Sequence, residues 1–367
     1  MRNILHPPET STDAAVVEAV HGQPPPLSAQ ALATRELSVL AVLILLGVVM
    51  LFTPARSAFY SERNLQNILL QVALLAIFAI GETIVIIAGG IDLSLGSLIA
   101  FTSMLLAWMV THFDERMYTS AAVGLAIALT LLISLGIGGI HATLIHRLRL
   151  PAFVVTLVSL LVLRSQSLVM NHHQQIVIAP EKYPLFDWLA NGKLPIFGWR
   201  PGAAGIAEPR FPIPVPAILL ILIALATHVL LTRTRMGRYL YSVGSNEQAT
   251  LLSGVNVFYV KLFAYGASAL LGGVAGILWA GYGGQGDPQI GNAYELDAVA
   301  AAVVGGASLT GGQGSVLGTV LGACLLHSIF SAINLTLSEP SLWRGTVVGG
   351  VLLLAVLATA LQQRQRG

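Results

Sequence analysis

TIVIIAGGIDLSLGS, residues 83–97, joins two apolar runs, 65–88 and 93–110, through a turn that carries Gly89, Gly90, Asp92 and Ser94. A membrane-spanning helix needs about 20 apolar residues. Both runs are therefore read as membrane helices, broken at the glycine pair. Outward from this point, runs of the same kind occur at 38–52, 120–144, 152–170, 215–231, 260–280, 296–309, 315–335 and 342–361. The pattern predicts an all-α integral membrane protein of about ten transmembrane helices, some interrupted or half-length. The run at 296–309 is short and flanked by glycines, which marks it as the half-helix.

Composition agrees. Of the 367 residues, 55% are hydrophobic and 10% charged, and the mean hydropathy is +0.78, whereas a soluble domain carries about a quarter charged residues. That leaves no room for a separate catalytic domain, and the chain is read as a non-enzyme. The net charge of +2 is spread among loops, so there is no electrostatic case for nucleic acid. Cys324 is the sole cysteine, which excludes an internal disulfide. No carboxylate or cysteine stands at ligand spacing from His172 and His173, so no metal is expected.

Cations in short loops set the orientation, because Lys and Arg are retained in the cytoplasm. Arg147, Arg149, Arg233, Arg235, Arg238, Lys261, Arg364 and Arg366 fall on one side, which predicts that both termini are cytoplasmic. The opposing loops also hold cations, among them Arg56, Lys182 and Arg344, accompanied by acids, so the bias is moderate. Residues 1–36 are polar, with prolines at 24–26, and are read as a disordered cytoplasmic tail. Residues 37–367 form one transmembrane domain. Within it, 171–214 is the external segment, with Trp188, Phe197 and Trp199 suited to the headgroup level, and 232–259 is a cytoplasmic loop.

Gly314, Gly318 and Gly322 recur at every fourth position, and Gly272 and Gly276 lie in a similar small-residue stripe. Such stripes let helix backbones approach closely where no water is expelled between them. Glu82, Asp92, Arg164, Glu295 and Asp297 break the apolar pattern, and an ionisable group within a span costs roughly 2.5 to 3.5 kcal/mol on insertion scales. A polar pathway and a paired bundle interior would each account for them; for Arg164, snorkelling toward a headgroup competes. A second irregular segment, 291–297, is followed by paired glycines at 305–306 and 311–312. Irregular backbone at membrane depth is tolerated where protein buries it or a wet cavity solvates it. Gly89, Gly90, Asp92, Ser94, Tyr294, Glu295 and Asp297 are thus the candidates for lining a path.

In the loop, Ser245 and Gln248 have the spacing of a capping box, and Gly254 is placed to end a helix in the left-handed conformation. A helix this short is not stable alone in water; it makes sense if another protein grips it.

At this point the chain resembles a family. TIVIIAGGIDLSLGS (83–97), LPAFVVTL (150–157), RMGRYLYSVGSNEQATLLSGV (235–255) and YELDAVAAAVVGGASLTGGQGSVLGT (294–319) look like the permease subunits of bacterial monosaccharide importers of the ribose, xylose and arabinose type. The resemblance covers most of the chain after Leu65. It implies that Gly244, Ser245, Asn246, Glu247, Gln248, Ala249, Leu252, Ser253 and Gly254 form the coupling helix seated on a cytoplasmic ATP-binding-cassette ATPase, which holds the ATP and magnesium. The permease binds no cofactor. It further implies a periplasmic sugar-binding protein, a second permease copy or paralogue, and a location in the bacterial inner membrane. By the same resemblance, a pentose, hexose, deoxyhexose or related furanose moves inward by alternating access. The tail and the 192–214 stretch are longer than the family pattern, and Glu82 inherits no role. Without the resemblance, an ion-gradient-driven carrier using Asp92 and Glu295 as coupling acids, or a membrane scaffold, fits the composition as well.

Overall fold

The computed structural model describes residues 29–113, 119–179, 181–195, 199–201, 207–209 and 211–364. Most of the expected tail, together with Arg116, Phe197, Arg210 and Arg366, lies outside the described residues.

The described chain is helical: α1 (Ala29–Leu51), α2 (Arg56–Phe59), α3 (Glu62–Ile87), α4 (Leu95–Phe113), α5 (Thr119–Arg147), α6 (Ala152–Val169), α7 (Pro184–Asn191), α8 (Val215–Arg233), α9 (Arg235–Ser245), α10 (Glu247–Leu252), α11 (Val257–Gly283), α12 (Tyr294–Val304), α13 (Val316–Thr336) and α14 (Pro340–Arg364). Extended backbone is confined to three short antiparallel pairs. β1 (Ile176–Val177) pairs with β6 (Gln285–Gly286), β2 (Lys193–Pro195) with β5 (Pro212–Pro214), and β3 (Trp199–Pro201) with β4 (Ala207–Pro209). All three fall in or against the segment read as external.

Seven of the predicted runs lie in helices long and apolar enough to cross a membrane: α3, α4, α5, α6, α8, α11 and α13. The other three fall on α1, α12 and α14, whose apolar stretches are shorter. Helix α1 starts at Ala29, inside the stretch read as tail. At eleven residues, α12 rises only about 16 Å against a hydrocarbon core of about 30 Å. Gly305 and Gly306, the latter at φ +97°, end it.

Burial sorts these helices into a centre and a rim. Residues 72–80 and 84–87 of α3 are buried on every side, the mark of a helix enclosed by others. Helices α11, α12 and α13 and one side of α8 pack around it. By contrast, α5, α6 and α8 expose Leu132, Ile140, Val162, Ile221 and Leu225, which is the face a lipid tail would cover.

Glycine sets the closest approaches. A Cβ at Gly81 would lie 2.9 Å from the Ser268 Cα, and one at Gly276 would lie 2.8 Å from the Ile99 carbonyl oxygen. One at Gly318 would collide with the Gly305 carbonyl, and one at Gly322 with that of Ala301. Gly314 does not share this face. It precedes α13 at φ +157°, and its carbonyl accepts a hydrogen bond from the Tyr241 hydroxyl at 2.8 Å. Gly318→Val is expected to destabilise the fold by about 3 kcal/mol, the upper end for overpacking, because the obstacle is backbone. Gly349→Val, with nothing within 4 Å of its Cβ, is the control. Thermal unfolding in detergent compares the two.

Candidate functional site

Helix α3 has 26 residues, about 39 Å, and a polar cavity sits at each of its ends. At the Glu62 end a cavity of about 490 Å³ is lined by Asn64, Asn67 and Gln71 of α3, His327, Phe330 and Asn334 of α13, and Ser341 and Arg344 of α14. Gln71, His327 and Arg344 also wall a deeper chamber of about 40 Å³, closed by Phe78, Trp279, Tyr294 and Asp297.

Arg344 stands between the two. Its Nη2 donates to Asp297 Oδ2, and its guanidinium lies 5.4 Å from the Tyr294 ring centre and 4.9 Å from that of Phe330, within cation–π reach. The Asp297 side chain is 7% exposed and that of Arg344 43%, so the carboxylate is buried and the guanidinium reaches it from a more open position. Tyr294 stacks at 3° on Phe78 and meets Trp279 at 5.6 Å. The buried Trp279 Nε1–H has no acceptor among the described residues.

At the Ile87 end lies a cavity of about 700 Å³, bounded by Gly89, Gly90, Arg149, Glu247, Lys261 and Tyr265 among others. Between the two ends the Asp92 network is sealed. Asp92 is fully buried. Its Oδ1 accepts from the Ser94 N–H at 3.0 Å and the Ser94 hydroxyl at 2.6 Å, and its Oδ2 accepts from Ser268 of α11 at 3.0 Å. Its own N–H donates to both Glu82 oxygens at 3.2 and 3.3 Å. The Ser94 carbonyl accepts the Leu98 N–H at 2.8 Å, starting α4. Asp92 thus ties the first turn of α4 to α11 and lines neither cavity.

The candidates therefore divide. Tyr294 and Asp297 meet at the Glu62-end cavity, and Gly89 and Gly90 lie at the other end. Asp92 and Ser94 are enclosed between them. Glu295 turns to another face of α12, where a side chain at Gly96 would run into its carboxylate. Arg164 points inward rather than toward headgroups, donating to the Pro288 and Ile290 carbonyls at 3.0 and 2.7 Å.

The loop forms α9 and α10. The cap of α10 is Asn246, whose Oδ1 accepts the Ala249 N–H at 2.9 Å; it is not Ser245, which ends α9 and donates to the Tyr241 carbonyl at 2.8 Å. Gly254, at φ +87°, closes α10. The Gly254 N–H donates to Leu251 at 3.0 Å and the Val255 N–H to Thr250 at 3.4 Å, the paired bonds of a Schellman end. Glu247 pairs with Lys261 at 2.8 Å. Leu252 is 88% exposed, an apolar contact left on offer.

Gly244 anchors this loop to both irregular segments. A Cβ there would overlap the Ile87 carbonyl and lie 2.6 Å from the Gly312 nitrogen. One at Gly311 would lie 2.6 Å from the Gly244 oxygen and 2.9 Å from the Gly89 Cα. The Gly312 N–H donates to the Ile87 carbonyl at 2.9 Å. Burial pushes the Tyr241 phenol up to about 12, so its hydroxyl keeps donating to Gly314 at physiological pH.

Sequence reading missed Gln71, Trp279, His327 and Arg344. Asn64, Asn67 and Gln71 recur at helical spacing in a helix otherwise rich in apolar residues, a stripe that could have pointed to the cavity. Arg344 reads in the sequence only as a loop cation.

An apolar helical bundle with interrupted helices at its centre and a polar cavity at each end is the architecture of a multi-pass membrane permease. The chain belongs to the family described as branched-chain amino acid transport system / permease component, whose model matches residues 64–357. It is 36% identical over 327 residues to the ribose import permease protein RbsC of Escherichia coli K12, covering 89% of this chain and 94% of that one. The corresponding protein of Bacillus subtilis is 34% identical over 318 residues (87% and 90%). The xylose transport system permease protein XylH of Escherichia coli K12 is 30% identical over 366 residues (88% and 91%). No solved structure matches the chain. The resemblance carried by the four motifs holds, and the chain is a transport component rather than an enzyme.

Proposed function

We propose that this chain is the membrane-spanning subunit of an ATP-driven importer that carries a monosaccharide across the bacterial inner membrane from periplasm to cytoplasm. The observation that carries the reading is its 36% identity to a ribose import permease along 89% of its length. That length includes both irregular segments and the loop between α9 and α11. The chain has no G-x-x-x-x-G-K-[ST] phosphate loop, so nucleotide hydrolysis by that route falls to a separate ATPase holding ATP and magnesium. Helix α10 is the element that ATPase grips, with Leu252 as its apolar contact. The opposite face, with both termini lying away from it, receives sugar from a periplasmic binding protein, and a second permease copy or paralogue completes the passage. Motion of α10 reaches the two glycine-broken segments through Gly244, which gives alternating access a mechanical route.

The Glu247–Lys261 pair gives the test. The Glu247 side chain is half-exposed, so Glu247→Arg leaves the fold standing while reversing the charge shown to the ATPase. In the reconstituted complex, uptake is expected to fall at least tenfold while ATP hydrolysis persists. Adding Lys261→Glu is expected to relieve the repulsion between α10 and α11 without restoring uptake. Unchanged uptake in Glu247→Arg would remove α10 from the coupling.

A further inference from the structure

We propose that the cavity at the Glu62 end of α3 is a weak binding site for an uncharged, polyhydroxylated solute, and that Arg344, held by Asp297, bars its inner end. The proposal deepens the importer reading and rests on it for the direction of travel, though not for the binding itself.

Size comes first. About 490 Å³ lies in the range of small-molecule pockets, about 300 to 1,000 Å³. The inner chamber, about 40 Å³, is close to the share of one water, about 30 Å³. A sugar therefore fits on one side of Arg344 and not on the other. The residues shared by both spaces, Gln71, His327 and Arg344, form the constriction.

The chemistry of the wall selects the ligand. Asn64, Asn67, Gln71 and Asn334 each offer donors and an acceptor, which suits hydroxyls that both give and take hydrogen bonds. Asp297 and Arg344 offer a fixed pair of acceptors beside a planar fork of donors. Their charges cancel, and no other Lys, Arg, Asp or Glu lines either space among the described residues. A phosphorylated sugar would bring an unmatched dianion, so the wall favours a neutral one. Of the aromatic rings, Phe330 borders the larger space with Arg344 over its face, while Tyr294 and Trp279 wall the inner chamber; a guanidinium that swings away frees the Phe330 face for the C–H face of a sugar ring.

Two observations say that the inner space is built to be filled. The Trp279 Nε1–H is buried and has no acceptor among the described residues, although a buried indole N–H ordinarily finds one. Arg344 holds its carboxylate from a side chain that is 43% exposed, resting on ring faces rather than locked among further carboxylates. A hydroxyl that takes over either member of the pair lets the guanidinium swing back, joins the two spaces, and brings an acceptor within reach of Trp279.

The experiment is equilibrium binding of radiolabelled ribose and xylose to the purified permease in nanodiscs, with no ATPase present. Saturable binding in the millimolar range is expected, at least tenfold weaker in Arg344→Gln and Trp279→Phe, with ribose 5-phosphate failing to compete. Binding that is unchanged in both variants, or competed equally by ribose 5-phosphate, would overturn the site. Should either variant fail to fold, alkylation of Ser341→Cys at the cavity mouth, in a Cys324→Ala background, keeps the question open to decision. Ribose is expected to slow the alkylation at least threefold, and no slowing would overturn the proposal. Because no nucleotide enters these assays, their failure alongside intact ATP-driven uptake would count against this site alone. Binding without ATP-driven uptake would count against the importer reading instead.

Discussion

Gly244→Ala is expected to cut ATP-driven import at least tenfold while leaving the chain in the membrane. The added methyl would overlap the Ile87 carbonyl and lie 2.6 Å from the Gly312 nitrogen, pushing α9 away from two segments it now touches backbone to backbone. Overpacking of this kind costs about 1 to 3 kcal/mol. That is enough to shift the register of a mechanical contact without unfolding a bundle whose core lies on α3. Gly254→Ala separates this effect from loop strain. Its Cβ would meet nothing within 4 Å, and only the left-handed backbone, at φ +87°, opposes it, at about 1 to 2 kcal/mol. Import by Gly254→Ala is expected to fall far less. Uptake and ATP hydrolysis measured side by side decide the matter. Normal import by Gly244→Ala would mean that the loop does not act through this contact.

Asp92→Ala is expected to lose the folded protein, whereas Asp92→Asn keeps it with reduced import. Alanine strands the Ser94 N–H and the hydroxyls of Ser94 and Ser268, all fully buried. A buried polar group left unsatisfied costs about 1 to 3 kcal/mol, a large share of the roughly 5 to 15 kcal/mol that holds a typical domain. In the asparagine variant Oδ1 still accepts from Ser94, and the Ser268 hydroxyl can turn from donating to accepting. Thermal unfolding in detergent reads the difference. An alanine variant as stable as the parent would mean that the network does not hold α4 to α11.

Hydropathy made the bundle legible, because a chain with so few charges can hide its backbone only in helices. The break at Gly89 and Gly90 and the early end of α12 were legible for the same reason, since paired glycines interrupt otherwise apolar sequence. The roles of the charges were not. Whether Asp92 is wet or sealed depends on Ser268, 176 residues away, and no local pattern shows that contact. Asp297 reads as an isolated buried acid until Arg344, 47 residues on, turns out to neutralise it. The misplaced cap has a local cause. A serine followed three residues later by glutamine signals a helix start, but α9 runs through Ser245, so Asn246 is the first residue free to cap. The anchor at Gly244 was hidden because three glycine segments, distant in sequence, meet there through backbone alone.

The most direct measurement is sugar uptake by proteoliposomes containing this permease, with its cassette ATPase and binding protein added or withheld. Accumulation of labelled sugar is expected only when both partners and ATP are present, and no imposed proton or sodium gradient should replace them. Uptake that follows an ion gradient in vesicles containing the permease alone would contradict the account.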